Sequence, residues 1–196
     1  MLIINAKIYT MEACGIIENG FIHVNEGKIA AVGSMADMPQ IQDDEIIDAA
    51  GKNVFPGFID AHCHVGVEDE GLNFEGNDGN EITDPTTPTV RALDSYYSLD
   101  RACDDALYGG VTTVLTSPGS ANPIGGQMMT IKMGTSEDVE QKAIHTFNSM
   151  KFALGENPKR CYNGRKQTPM TRMGSASVIR EQLEKARRYM IEKEEA

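Results

Sequence analysis

The sequence lacks the features of membrane and secreted proteins. No apolar run approaches the roughly 20 residues that a bilayer-spanning helix requires. The opening residues, Met-Leu-Ile-Ile-Asn-Ala-Lys-Ile, have no basic leader before an apolar core and no small-residue cleavage site. We therefore expect a cytoplasmic protein without a membrane partner.

Paired cysteines and an excess of basic residues are also missing. The four cysteines, at positions 14, 63, 103 and 161, show no CxxC spacing, which argues against a zinc ribbon or a disulfide framework. Eighteen Lys and Arg against 29 Asp and Glu give a formal charge of -11. Such a chain repels phosphate backbones and anionic lipids, so nucleic acid is not an expected partner.

Two patterns of secondary structure divide the chain into segments 1–54 and 55–196. The first segment reads as short strands joined by tight turns, with a hairpin predicted at Asn25-Glu26-Gly27-Lys28. The second alternates strands with helices, which is the pattern of a parallel α/β architecture. Its predicted strands lie at about 57–64, 111–116, 127–132 and 150–154, with a helix near 98–107 and a helix or loop over 136–147.

The last helix has a predicted start. Thr168 can cap it, Pro169 suits its first turn, and apolar residues recur after it at helical spacing. The chain ends inside this pattern, which we interpret as an interruption.

Two histidines carry the strongest chemical signal. Alternate residues of a strand share a face, so Asp60, His62 and His64 point the same way. Neutral imidazoles that converge on one point can hold a divalent metal, whose bound water then ionises near neutral pH. The alternative is that so short a pattern arises by chance.

The residues around these histidines resemble a known family. Asn53-Val-Phe-Pro-Gly-Phe-Ile-Asp-Ala-His-Cys-His64, after a β-rich segment ending in Ile-Asp-Ala-Ala-Gly-Lys, is similar to the opening of the amidohydrolase superfamily, in its imidazolonepropionase-like branch. The resemblance implies a small β-sandwich beside a (β/α)8 barrel. It makes His62 and His64 ligands of a divalent metal, with zinc expected and manganese or iron as alternatives. It also implies a homo-oligomer and a small-molecule substrate with an amide or cyclic amide C–N bond.

A third ligand is open between two residues. Many superfamily members place a carboxylated Lys, and some a Glu, at the end of the fourth barrel strand. Strand counting puts Glu156 near that position, where the alternative is an exposed loop residue. Lys151 is the rival, but the predicted strand 150–154 puts it at the wrong end.

The resemblance covers only the N-terminal half of such a protein. A barrel needs about 250 residues, and about four of its strands fit here. Two more histidines and a final-strand Asp are missing, so we expect no catalytic residue in this segment. We expect it to be inactive alone and to need a C-terminal half, from the same gene product or a partner chain. The alternatives are a non-catalytic scaffold or assembly partner with this fold, or a deaminase of the same superfamily.

Overall fold

The computed structural model describes residues 1–43, 45–134 and 138–196. Its contacts divide the chain into two compact units, Met1–Gly57 and Phe58–Ala196, each with its own sheet and buried cluster. Among these described residues, no helix is both long enough and apolar enough to cross a membrane.

The first unit is built on one five-stranded sheet. Its strands are β1 (Leu2–Tyr9), β2 (Ile16–Asn25), β3 (Lys28–Ser34), β4 (Ile46–Asp48) and β5 (Asn53–Val54). Strand β1 pairs antiparallel with β2 and parallel with β4 and β5, and β3 lies beyond β2. The expected β-sandwich segment is thus represented by a single layer in the part of the unit that is described. Its buried cluster consists of Ala6, Ile8, Ile22 and Ala49.

The turn between β2 and β3 follows from its sequence. Asn25 pairs with Lys28 in antiparallel register, which leaves Glu26 and Gly27 as a two-residue loop. Both loop residues have positive φ, 50° and 73°, as a type I′ turn requires. The predicted hairpin is confirmed.

The second unit combines a four-stranded sheet with helices. In sheet order the strands are β6 (Phe58–Cys63), β7 (Val111–Thr116), β8 (Ile124–Lys132) and β9 (Ala143–Phe152). The helices are α1 (Ala92–Ser95), α2 (Arg101–Tyr108), α3 (Val139–Lys142), α4 (Glu156–Gly164) and α5 (Arg172–Glu194). The region 136–147, predicted as helix or loop, holds α3 and the first half of β9, and its residues 136 and 137 lie outside the described part.

The strand directions differ from the prediction of four parallel strands. Strands β6 and β7 are parallel, but β7 with β8 and β8 with β9 are antiparallel. Only seven residues, 117–123, join β7 to β8, and a parallel crossover needs a dozen or more. Two reversals return β9 to the direction of β6 and β7. The carboxyl ends of these three strands therefore lie at the same end of a mixed sheet.

The core of the second unit lies where α2 meets the middle strands. Val114 of β7 packs with Met129 and Ile131 of β8, and Cys103 of α2 joins them. All four are buried, and burying side chains of this size contributes about 1.5–3 kcal/mol each. This packing fixes β7 and β8. Strand β6 is hydrogen-bonded to β7, and strand β9 is hydrogen-bonded to β8.

The last helix begins later than predicted. Thr171 caps it, accepting a hydrogen bond from the Gly174 N–H at 3.0 Å. The buried Pro169 ring packs against that first turn, since an added Cβ on Gly174 would meet Pro169 at 3.2 Å. Thr168 therefore precedes the helix, and its predicted capping role is wrong.

Candidate metal centre

Two histidines stand at the carboxyl end of β6. His62 lies in the strand, and His64 directly follows its last residue, Cys63. Their ring centroids are 5.3 Å apart and the ring planes cross at 78°. The rings are therefore as close as the sequence pattern predicted, while their role as metal ligands stays a prediction.

A lysine from β9 meets the first of these rings. The Lys151 Nζ lies 2.6 Å from the His62 Nε2. In the sheet order β7 and β8 lie between β6 and β9, a separation of about 14 Å in a flat sheet with strands ~4.8 Å apart. Side chains from the two strands touch, so the sheet curves and presents both to its concave face.

The sequence placed Lys151 at the wrong end of its strand. Strand β9 begins at Ala143, not near Met150, so Lys151 is its penultimate residue. That position lies at the sheet end that carries the histidines. Two β-branched residues at alternate positions, Ile144 and Thr146, were the sequence signal for the longer strand.

The Lys151 side chain is buried, and no acidic residue in the described part of the chain pairs with it. It is 7% exposed, and its stem passes over Gly125, where an added Cβ would lie 3.2 Å from the Lys151 Cγ. No ion pair joins it to a carboxylate among the described residues. A buried ammonium without a counter-ion is costly, so burial shifts this side chain towards its neutral form relative to an exposed lysine.

The electrostatics of the pair favour neutral nitrogens. Burial lowers the pKa of Lys151 below its ordinary value. The Lys151 charge lowers the pKa of His62, with burial and His64 acting in the same direction and Asp60 opposing them. Neutral imidazole and amine nitrogens carry the lone pairs that a metal or an electrophile needs.

Glu156 is not brought to the histidines. It is the exposed first residue of α4, and its carboxylate pairs with Arg160 one turn later. Among the described residues, no group of three His, Cys, Asp or Glu side chains is arranged to hold a metal ion. The surface-residue alternative for Glu156 therefore agrees better with its surroundings, and Lys151 is the rival residue that contacts a histidine of the pair.

Two polar contacts support the end of β6. The Asp60 carboxylate accepts a hydrogen bond from the His62 backbone N–H at 3.0 Å. The Ser117 carbonyl lies 2.8 Å from the His64 Nδ1. Ser117 directly follows β7, and its contact with His64 left no signal in the sequence.

The other two histidines lie elsewhere. His23 stands in the first unit, 3.5 Å from the Asp43 carboxylate. His145 is an exposed residue of β9, where its Cα pairs with Thr130, and not part of the helix or loop predicted over 136–147. Neither belongs to the site at β6.

Known proteins resemble the chain over its whole length or much of it. No family model matches. An amidohydrolase named tasK from Hapsidospora irregularis is 36% identical over 85% of this chain and 18% of its own length. The imidazolonepropionase of Geobacillus sp. (strain WCH70) is 37% identical over 56% of this chain and 30% of its own length. The crystal structure of an amidohydrolase from Thermotoga maritima superimposes on the entire chain with a TM-score of 0.90 and 46% identity.

The chain belongs to the amidohydrolase superfamily. It is an imidazolonepropionase-like region of such a protein, as the residues around His62 predicted. This amidohydrolase region spans 49% of the Thermotoga maritima chain and less than a third of the two curated relatives. The family assignment therefore covers a part of the whole fold.

Proposed function

We propose that this chain is part of a metal-dependent hydrolase that cleaves an amide or cyclic amide C–N bond in a small molecule. His62, His64 and Lys151 would hold a divalent metal, with zinc as the first candidate and manganese or iron as alternatives. The observation that carries the proposal is the 2.6 Å contact between the buried Lys151 Nζ and the His62 Nε2, beside the second imidazole. The names of the relatives support a hydrolase.

The donor set fits such an ion once Lys151 is modified. Imidazole nitrogens are common zinc ligands, and a hard oxygen ligand beside them suits zinc, manganese and iron. The neutral Lys151 amine can attack the carbon of CO2, forming an N–C bond and releasing one proton. The resulting carbamate offers oxygens where the amine now stands, and a carboxylated lysine is common in the superfamily.

The chain's own residues would orient the ligands. A bound metal supplies hydroxide near neutral pH by lowering the pKa of its water. Asp60 holds the His62 backbone, and the Ser117 carbonyl holds the His64 ring. These contacts hold two neighbouring imidazoles, of which that of His62 meets the Lys151 amine. Proton transfer to the leaving group would fall to residues outside this chain.

Catalysis in this proposal needs a second half, from the same gene product or a partner chain. The chain covers 49% of its solved neighbour. Ile59 on β6, at one end of the sheet order, is 72% exposed, as expected of a strand that a further element covers. The 196-residue chain should therefore hydrolyse amides poorly while it still binds metal.

Metal content tests the proposal. The purified 196-residue chain should carry near-stoichiometric zinc, manganese or iron, measured by plasma mass spectrometry. His62→Ala should lose most of it, because one of three ligands is removed. The matched control is His145→Ala, which removes an exposed imidazole from β9 and should keep the metal. After exposure to 13C-labelled CO2, a carbamate carbon signal should appear and be absent from Lys151→Met.

A different outcome would redirect the assignment. A wild-type chain that stays metal-free and forms a stable oligomer would contradict the hydrolase and favour the scaffold. Equal metal content in His62→Ala and His145→Ala would contradict the site.

A further inference from the structure

Two residues at the end of β7 clamp the chain around His64. The Thr116 hydroxyl donates to the Val65 carbonyl at 2.8 Å, and the Ser117 backbone N–H donates to the Cys63 carbonyl at 3.1 Å. The residues before and after His64 are thus both tied to the neighbouring strand. Thr116 and Ser117 are fully buried, at 0% exposure each, so water does not compete for these bonds.

The Ser117 carbonyl also fixes the tautomer of the His64 ring. The Ser117 carbonyl lies 2.8 Å from the His64 Nδ1. A carbonyl oxygen only accepts hydrogen bonds, so the Nδ1 carries the hydrogen and the neutral ring keeps its lone pair on Nε2. His62 is held differently: its Nε2 meets the Lys151 amine.

We propose that Thr116 and Ser117 are positioning residues for His64, which hold its ring with the Nε2 lone pair free for a metal. This inference rests on the proposed function, since it assumes that His64 is a ligand. The Thr116 hydroxyl anchors Val65, the residue after His64. Thr116 also directly precedes Ser117, whose carbonyl orients the His64 ring. Supporting residues of this kind typically change metal affinity by about 10–100-fold.

The test uses three substitutions in β7 of the 196-residue chain. Thr116→Val removes the hydroxyl and keeps the branched shape, whereas Thr116→Ser keeps the hydroxyl. Thr113→Val is the matched control, because it makes the same change at another buried threonine of the same strand. Zinc affinity is measured by competition with a chromophoric chelator. The tautomer of His64 is measured in the metal-free chain by long-range 1H–15N NMR, with His64→Gln for assignment.

The expected results separate positioning from general damage. Thr116→Val should weaken zinc binding about tenfold or more, and its His64 should show a mixture of tautomers. Thr116→Ser and Thr113→Val should bind zinc like the wild type and keep the Nδ1–H form. A general loss of stability would affect both valine variants.

Three results would overturn the inference. They are an Nε2–H tautomer in the wild type, wild-type affinity in a folded Thr116→Val, and equal losses in both valine variants. If Thr116→Val does not fold, the wild-type tautomer and the Thr116→Ser affinity decide. A wild type that binds no zinc but has the Nδ1–H tautomer of His64 would overturn both the positioning of a metal ligand and the proposed function. Thr116 and Ser117 would then have a purely structural role.

Discussion

The two units treat their basic groups differently. In the first unit the Lys7 amine lies 3.0 Å from the Glu18 carboxylate, and His23 stands 3.5 Å from the Asp43 carboxylate. In the second unit Lys151 is buried, and its close neighbour is another base, the His62 ring at 2.6 Å. The first unit thus places these two basic groups beside carboxylates. The second unit also has surface ion pairs, but it places Lys151 beside another base in a concave site.

The difference directs the search for function to the sheet of the second unit. Exposed ion pairs adjust stability by small amounts and require no special surroundings. A buried amine without an acid destabilises the fold, and such an arrangement persists where a site needs the unpaired group. The end of β6 and β9 is therefore the place to seek chemistry, and the first unit is its internal control.

The largest expected effect comes from replacing the buried amine. Lys151→Met keeps the length and apolar stem of the side chain and removes its nitrogen. We expect the zinc dissociation constant to rise by more than about a hundredfold, beyond the 10–100-fold typical of supporting residues. The metal-free chain should become more stable by on the order of 1 kcal/mol, because the desolvated amine is gone. Chelator competition and urea unfolding measure the two quantities.

The control for this change lies in the first unit. Lys7→Met removes an amine from an exposed ion pair and should leave zinc affinity unchanged with little effect on unfolding. If Lys151→Met bound zinc as tightly as the wild type, the proposed difference between the two units would be contradicted. Lys151 would then only fill space beside His62.

A second buried polar group in the same unit should behave in the opposite way. Tyr162 is fully buried, and its hydroxyl lies 2.6 Å from the Asn122 Oδ1 and 2.7 Å from the Asp84 carbonyl. This group has its partners, so Tyr162→Phe should reduce the free energy of unfolding by about 1–2 kcal/mol. Zinc affinity should stay within about threefold, well under the tenfold that corresponds to 1.4 kcal/mol. Released metal in Tyr162→Phe would show that this hydrogen-bonded hydroxyl also supports the proposed metal site.

Local features of the fold could be predicted from the sequence. Strand β7 has the predicted bounds, 111–116, and the turn at Glu26 and Gly27 has the predicted conformation. Both depend on residues close together in the chain: β-branched side chains in one case and positive φ in the other. The two histidines were found because they lie two residues apart at the end of one strand.

The rest of the site depends on contacts that a linear pattern does not encode. Lys151 meets His62 from 89 positions away, and Ser117 meets His64 from 53 positions away. The first contact was missed because β9 begins at Ala143, so that Lys151 lies near the carboxyl end of the strand and not near its start. The second is a backbone carbonyl, which has no side-chain signal. Glu156 was chosen for its chemistry, but its place on α4 directs it to Arg160.

The smallest expected effect tests how the first unit holds a charge. The Asp48 Oδ1 accepts hydrogen bonds from the Ala50 N–H at 2.8 Å and the Asn5 side-chain amide at 3.0 Å. These bonds, the backbone one first, lower the pKa of Asp48 below its ordinary value of 3.8. Between the two pKa values the unfolded chain binds more protons, so this contribution to stability rises with pH. It is present in full above the ordinary value and lost as the pH falls through the lowered one.

Asp48→Asn removes this titration while it keeps an oxygen acceptor at the same place. The protection of the β1 and β4 amides against hydrogen exchange is measured as a function of pH and corrected for intrinsic exchange. Below about pH 4 this protection should fall less in the variant than in the wild type. Zinc affinity near neutral pH should be the same in both, because Asp48 lies in the first unit. An equal pH dependence of protection in the two chains would mean that the Asp48 bonds form in the unfolded chain as well. The surface charges of the first unit would then have no effect on its stability. The first unit and Lys151 would then differ only in the burial of their charged groups.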